Sequence, residues 1–352
     1  MAPAAAPAAA PAAGPKFTWG GLVDTYYMYL LNKGDAANTL VGTTFRAFDT
    51  NTNSATLALS ALTLNASMDP VAFQLDMGYG STGAIVNGFN FGASPAVPPV
   101  TGQFIILQAY GTITALSQGS MALTFDFGKF YTTAGAEVLP ANKNWLYSRS
   151  LLFNAIPVLH TGARANLKVN DQLSLQASLV NGWNDDPDFN AWKTVGLSAT
   201  VTASPMVTLV GTTYIGKEGA QGVMPSTPGD VRVLVDIVAA LTLSDKLGVN
   251  VNADYIKAYD NIGADYLIGV AAMARYVIND HVNVAARGEW VRTHTAANAD
   301  IMEGTVMVGI PVGKNFELRP EFRLDHLFQD ATFTNNLKSD QITGTLAALT
   351  YF

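Results

Sequence analysis

The sequence predicts an all-β fold: a transmembrane, antiparallel, up-and-down β-barrel of about 16 strands, with 14 or 18 as alternative counts. Three observations predict it. The chain is rich in apolar residues yet lacks helical spans, its segments alternate apolar and polar residues over unusual lengths, and its connections alternate between tight and long.

Of 352 residues, 49% are hydrophobic and only 13% are charged, where soluble chains carry roughly a quarter. A membrane helix needs about 20 apolar residues in a row, and no such run exists. Val231–Leu243 is broken by Arg232 and Asp236, and Tyr266–Ile278 by Arg275. The closed barrel is the other structure that satisfies its backbone within a bilayer. Cysteine is absent, and the net charge is −7. With no basic run and no basic stripe interleaved with aromatics, nucleic-acid binding is not expected.

Residues 1–16 form an Ala/Pro-rich N-terminal extension. Prolines every three or four residues favour an extended, solvated tether. The segment has neither a basic n-region nor an apolar h-region, so it does not read as a signal peptide. We read it as a mature extension left after export, an appended tag being the alternative. The barrel is expected over 17–352.

Alternation starts at Phe17. Val71, Phe73, Leu75, Met77 and Tyr79 share one face of a segment whose other face carries Gln74, Asp76 and Gly78. Met121, Leu123, Phe125 and Phe127 alternate with Ala122, Thr124, Asp126 and Gly128. The clearest case sets Phe316, Leu318, Pro320, Phe322 and Leu324 against Glu317, Arg319, Glu321, Arg323 and Asp325. Period two means strands with one apolar and one polar face. Many segments run about 11–15 residues, enough to cross a tilted barrel wall, where ordinary strands average about 5–6. Sixteen segments fit, from 17–31 and 54–67 through 157–169 and 315–328 to 340–352.

One set of connections is tight and carries turn chemistry: Met68–Pro70, Ser117–Ser120, Asn170-Asp171, Ser204-Pro205, Ser244-Asp245, Asn279-Asp280 and Gly313-Lys314. The other set is longer, near 32–53, 81–100, 132–156, 184–190, 217–230 and 329–339, with two short members at 260–263 and 296–299. Short turns at one end and longer loops at the other is the outer-membrane arrangement. The chain ends on an aromatic residue, Phe352, as outer-membrane barrels commonly do.

One ordered set of motifs carries a resemblance. Gly128-Lys-Phe, Gly135-Ala-Glu137, Tyr147-Ser-Arg-Ser150, Ala155-Ile-Pro157, His160-Thr-Gly-Ala-Arg164 and Asn181-Gly-Trp183 follow one another. Together they resemble the OmpL-like β-barrel porins of the BBP2 family, most densely over 120–200. The resemblance implies a porin of the bacterial (Gram-negative) outer membrane and names no solute.

Other motifs yield little. Gly78-Tyr-Gly-Ser-Thr-Gly83 matches the dinucleotide fingerprint, which works only where a helix follows within a βαβ unit. We expect instead a strand end entering a flexible loop. Asp186-Pro-Asp188-Phe-Asn190 opens like a calcium loop, but Ala191 and Leu197 stand where the glycine and glutamate are needed. A solvated acidic loop, or a loosely held divalent ion, is left. His160, His281, His294 and His326 form no metal spacing, and no nucleophile elbow occurs. No catalytic residue, metal or cofactor is expected, and the chain is not read as an enzyme.

The expected pore lining carries both signs: Asp76, Asp126, His160, Arg164, Lys168, Arg232, Asp236, Asp254, Arg275, Arg287, Glu289, Glu317, Arg319, Glu321, Arg323 and Asp325. His160, Arg164 and Lys168 form a basic row on one strand face. The segment 132–156 is expected to fold inward as a constriction loop carrying Glu137, Lys143 and Arg149, with Arg149 finding an acidic partner, a surface loop being the alternative. Expected partners are the lipid bilayer, lipopolysaccharide, small hydrophilic solutes or ions, and a second copy of the chain. A non-porin barrel (adhesin, sensor or closed barrel) and a soluble β-rich binding protein are the alternatives.

Overall fold

The computed structural model describes residues 14–32, 46–90, 102–188, 192–218, 231–259, 264–294, 299–328 and 338–352. The extension over 1–13 and most of the long connections lie outside them. Sixteen strands follow in chain order: β1 (Lys16–Leu30), β2 (Ser54–Met68), β3 (Val71–Tyr79), β4 (Phe104–Gln118), β5 (Met121–Tyr131), β6 (Leu159–Lys168), β7 (Leu173–Val180) and β8 (Thr194–Ser204). Then come β9 (Val207–Lys217), β10 (Val231–Thr242), β11 (Leu247–Tyr259), β12 (Ala264–Asn279), β13 (Val282–His294), β14 (Ala299–Val312), β15 (Phe316–Leu327) and β16 (Asp340–Tyr351). Each pairs antiparallel with the next, and β16 returns to β1, so the sheet closes. Among the described residues, no helix is long and apolar enough to cross a membrane.

Closure turns the alternation inside out. On β15, Phe322 is 46% exposed while its neighbour Arg323 is 1% exposed. Val306, Ile237, Leu197 and Phe127 likewise point outward, and Glu303, Asp236 and Asp126 point inward and are buried. A soluble sandwich would reverse this. An apolar exterior around a polar interior is what lipid outside and water inside require.

The seam is fastened by the chain's end. Phe352 exchanges backbone hydrogen bonds with Gly21, both at 3.1 Å, and its ring meets Trp19 edge-on at 4.9 Å. A Cβ at Gly20 or Gly21 would run into Phe352, which explains the glycine pair. Both termini of the barrel lie at the end with tight turns, where Gly119 and Gly313 adopt φ of 59° and 67°, open to glycine at little cost.

One expectation is corrected. The chain after Tyr79 does not enter a flexible loop: a helix, α1 (Ser81–Asn90), follows Gly80. Asn87 fastens it by donating to the carbonyls of Gly102 and Phe104 at 2.7 and 2.9 Å. The flanking strands β3 and β4 are antiparallel neighbours, so the fingerprint lacks its βαβ unit. Gly83 is needed because a Cβ there would meet the carbonyl of Gln103.

Candidate functional site

The connection between β5 and β6, residues 132–158, contains a 3₁₀ turn at Ala141–Lys143 and a short helix, α2 (Leu151–Ala155). Irregular backbone in a lumen exposes N–H and C=O groups that need partners. The inner wall supplies them by charge type. Carboxylates take the N–H groups: Tyr147 and Ser148 donate to Glu321 at 2.7 and 3.1 Å, and Leu151 and Leu152 donate to Glu289 at 2.6 and 2.8 Å. Within the segment, Ser150 donates to Glu137 at 2.8 Å, and its own hydroxyl caps α2 by accepting from Phe153.

Guanidinium groups take the carbonyls. Arg319 donates to Ala141 and Asn144 at 2.8 and 3.0 Å. Arg323 donates to the carbonyl of Arg149 at 2.7 Å. Arg287 donates to the carbonyls of Ser148 and Arg149 at 2.8 and 3.2 Å, while pairing with Glu303 at 2.9 Å and Glu137 at 3.0 Å. The segment is therefore strapped to the wall formed by β13–β15. Its apolar residues Leu139, Leu151, Leu152 and Ile156 join a buried cluster with Leu234, Leu267 and Val291 from the wall.

The ion network extends beyond the segment. Arg323 pairs with Asp325 at 2.6 Å, and Arg46 bridges Asp325 and Asp49 at 3.3 and 2.7 Å. Arg319 pairs with Glu317 at 2.8 Å. Asn252 donates to both Asp236 and Asp254, and its side-chain carbonyl accepts from the Ala136 N–H. Arg275 donates to Asn283 at 3.3 Å. Arg232 lies buried with its guanidinium 5.0 Å from the Trp183 ring.

The basic row is not a free ladder. His160 is 1% exposed, stacked on Tyr214 with Nδ1 at 3.0 Å from the Gly182 carbonyl. Arg164 pairs with Asp126 at 2.7 Å and sits over Phe130 at 4.3 Å. Lys168 is exposed at the turn, paired with Asp171 at 2.7 Å. Asp76 accepts from Gln74 and Gln108 at 2.7 and 2.6 Å. Burial and short-range pairing thus occupy all three basic side chains.

Arg149 is a second correction. It donates to the carbonyls of Tyr147 and Leu139 in its own segment, and the partner of Glu137 is Arg287 instead. Arg287 outcompetes it because the wall places that guanidinium between Glu137 and Glu303. Arg149 is buried, and Lys143 is exposed. The divalent-ion reading also loses its ligands among the described residues: Asp186 pairs with Lys129 at 2.6 Å, and Asp188 pairs with Lys193. Asn190 lies outside the described residues. Nearby, burial and the adjacent Glu218 push the Asp185 carboxyl up to about 8.

Residues missed from sequence include Asp24, Arg46, Asp49, Asn252 and Glu303. Glu303 stood on the alternating inner face of β14 and could have been found there. Arg46 and Asp49 lie in a long connection with no periodicity to expose them. Among the described residues, no group of three or more potential ligands is arranged to hold a metal.

The family described as "Putative beta-barrel porin-2, OmpL-like" matches residues 16–352. Solved structures share the fold. OmpT, an outer membrane protein of Vibrio cholerae in its trimer form, superposes with TM-score 0.63 at 13% identity, covering 97% of this chain and 100% of that one. The outer membrane channel DcaP of Acinetobacter baumannii gives 0.62 at 12%, covering 96% and 98%. An anion-selective porin from Comamonas acidovorans gives 0.61 at 11%, covering 96% and 100%. No curated protein sequence matches the chain.

Proposed function

The chain belongs to the OmpL-like β-barrel porin family and is an integral porin of the bacterial outer membrane, and on that premise we propose that segment 132–158 is its fixed constriction. The porin is a water-filled channel through which small hydrophilic solutes or ions diffuse passively. What supports a fixed constriction is the sorting of contacts: wall carboxylates hold the segment's N–H groups and wall guanidiniums hold its carbonyls. Such an arrangement narrows the lumen without a hinge. Chemistry on the solute has no group assigned to it.

In this reading the inward charges serve two purposes. Glu289, Glu321, Arg287, Arg319 and Arg323 position the segment, while Asp126, Arg164 and Lys168 border the remaining passage. The apolar exterior faces lipid, with lipopolysaccharide as the outer-leaflet neighbour. Self-association is the reading suggested by OmpT, solved in a trimer form. Single-channel recording in planar bilayers tests the constriction. Deleting 138–150 is expected to raise conductance several-fold, because barrels of this size otherwise leave an open channel. A deletion variant that inserts and conducts like the parent would move the constriction to the wall.

A further inference from the structure

The lumen is divided by charge. Along β10–β15 segment 132–158 covers much of the inner face, and most of its charges contact one another or that segment, Arg275 on Asn283 being a partly exposed exception. Asp236, Asp254, Arg287, Glu303, Arg319 and Arg323 are each buried to within 5% of full burial. Along β5–β8 the inner face toward the tight-turn end stays partly exposed instead. A cavity of about 470 Å³ lies there, bordered by Thr124, Asn166, Gln176, Ser198 and Thr200 on the wall and Thr133 on the segment, together with apolar Leu167, Leu175 and Val210 and the Asp171-paired Lys168. That is within the usual ~300–1,000 Å³ of small-molecule sites.

The exposed wall carries hydroxyls and amides. They are linked laterally: Gln176 donates to Asn166 at 2.7 Å, and Asn166 donates to Asp126 at 2.9 Å. The nearby charges come in matched pairs, Asp126 with Arg164 and Lys168 with Asp171, both at 2.7 Å. Ion preference in a pore comes from unmatched rings or rows of one sign, and this wall presents none. Hydroxyl and amide groups offer both donors and acceptors. A solute carrying many hydroxyls can exchange its water partners for these at little net cost.

From this we infer that the open half of the lumen is a path for uncharged, polyhydroxylated solutes of about sugar size, and that Thr124, Asn166 and Gln176 set this preference. The inference rests on the porin reading and names the solute class of that channel. It also separates this chain from its anion-selective structural neighbour, whose shared fold fixes no selectivity.

The test uses the full chain refolded into liposomes and planar bilayers. With the parent protein, isotonic glucose should swell liposomes faster than potassium gluconate, and the reversal potential in a KCl gradient should correspond to an ion permeability ratio within about twofold. The near-isosteric pair Asn166→Asp with Gln176→Glu should shift the channel toward cations by at least about threefold and slow glucose entry. Both changes keep side-chain size, and Phe127→Leu on the outer face serves as a folding control with no shift. A parent channel preferring one ion sign by about tenfold or more overturns the proposal while leaving the porin intact. An unmoved reversal potential in the Asp/Glu variant overturns it too, by placing the path elsewhere. Folded barrels that neither conduct nor admit glucose overturn the porin reading itself.

Discussion

Replacing Arg287 with methionine should loosen segment 132–158 while leaving the barrel standing. The guanidinium is fully buried, pairs with Glu303 and Glu137 at 2.9 and 3.0 Å, and donates to the carbonyls of Ser148 and Arg149. Methionine keeps much of the stem's volume but leaves Glu137 without its guanidinium partner and Glu303 with only the more distant Arg323, at 3.8 Å. Removing one partner of a buried ion pair costs about 3–5 kcal/mol, mainly because the other charge is left uncompensated. At about 1.4 kcal/mol per decade, the equilibrium between strapped and released segment shifts by between roughly a hundred-fold and several thousand-fold. The strand ladders of β12, β13 and β14 use backbone groups alone, so the heat-modifiable electrophoretic shift of a folded barrel should persist. Single-channel recordings should then show higher and noisier conductance than the parent. Adding Glu303→Gln removes one stranded charge and should restore part of the quiet state. If Arg287→Met conducts at the parental level with parental noise, the strapping by buried charge is not what holds the segment.

Three further outcomes are expected. Phe322→Arg, at an exposed outer position midway along β15, should lower stability in lipid by about 2–4 kcal/mol, read as reduced insertion in a urea titration; an unchanged titration would mean this face does not meet lipid. In liposomes, a water-soluble maleimide should label Thr124→Cys on the inner face quickly and Phe127→Cys on the outer face slowly, and the reverse order would invert the assigned sidedness. The Asp185 carboxyl, raised to about 8 by burial and Glu218, binds its proton more tightly when its segment is packed. Its contribution is therefore full at acid pH, falls as pH rises through the range between its unfolded value and about 8, and is absent above that. Protease cleavage near 181–188 should accelerate as pH rises from about 4 to 8 and level off above that, and Asp185→Asn should flatten that rise; equal pH profiles for the two proteins would sink the idea.

The barrel was legible because strand identity is local. Glu317, Arg319, Glu321, Arg323 and Asp325 share a face whatever the rest of the chain does, since successive side chains point to opposite sides. Chain length, strand length and the spacing of turns then made inward charge the consistent choice. The length and aromatic content of 132–156 likewise marked an unusual connection. The helix at Ser81–Asn90 escaped notice because its glycines read as punctuation, whereas Gly83 serves close packing against Gln103.

What only the tertiary structure decided is which charges meet. Arg287 and Glu137 are 150 residues apart, Asn252 and Ala136 are 116 apart, Arg319 and Ala141 are 178 apart, and nothing local foretells their contact. Closing the sheet brings β13–β15 opposite segment 132–158, and that wall takes up the segment's backbone polarity. Arg149, expected to be a constriction charge paired with a carboxylate, is thereby turned onto neighbouring carbonyls. Alternation along a strand determined which residues face inward; register and closure, which act between residues far apart in sequence, determined which inward charges are neutralised and which stretch of wall still meets water.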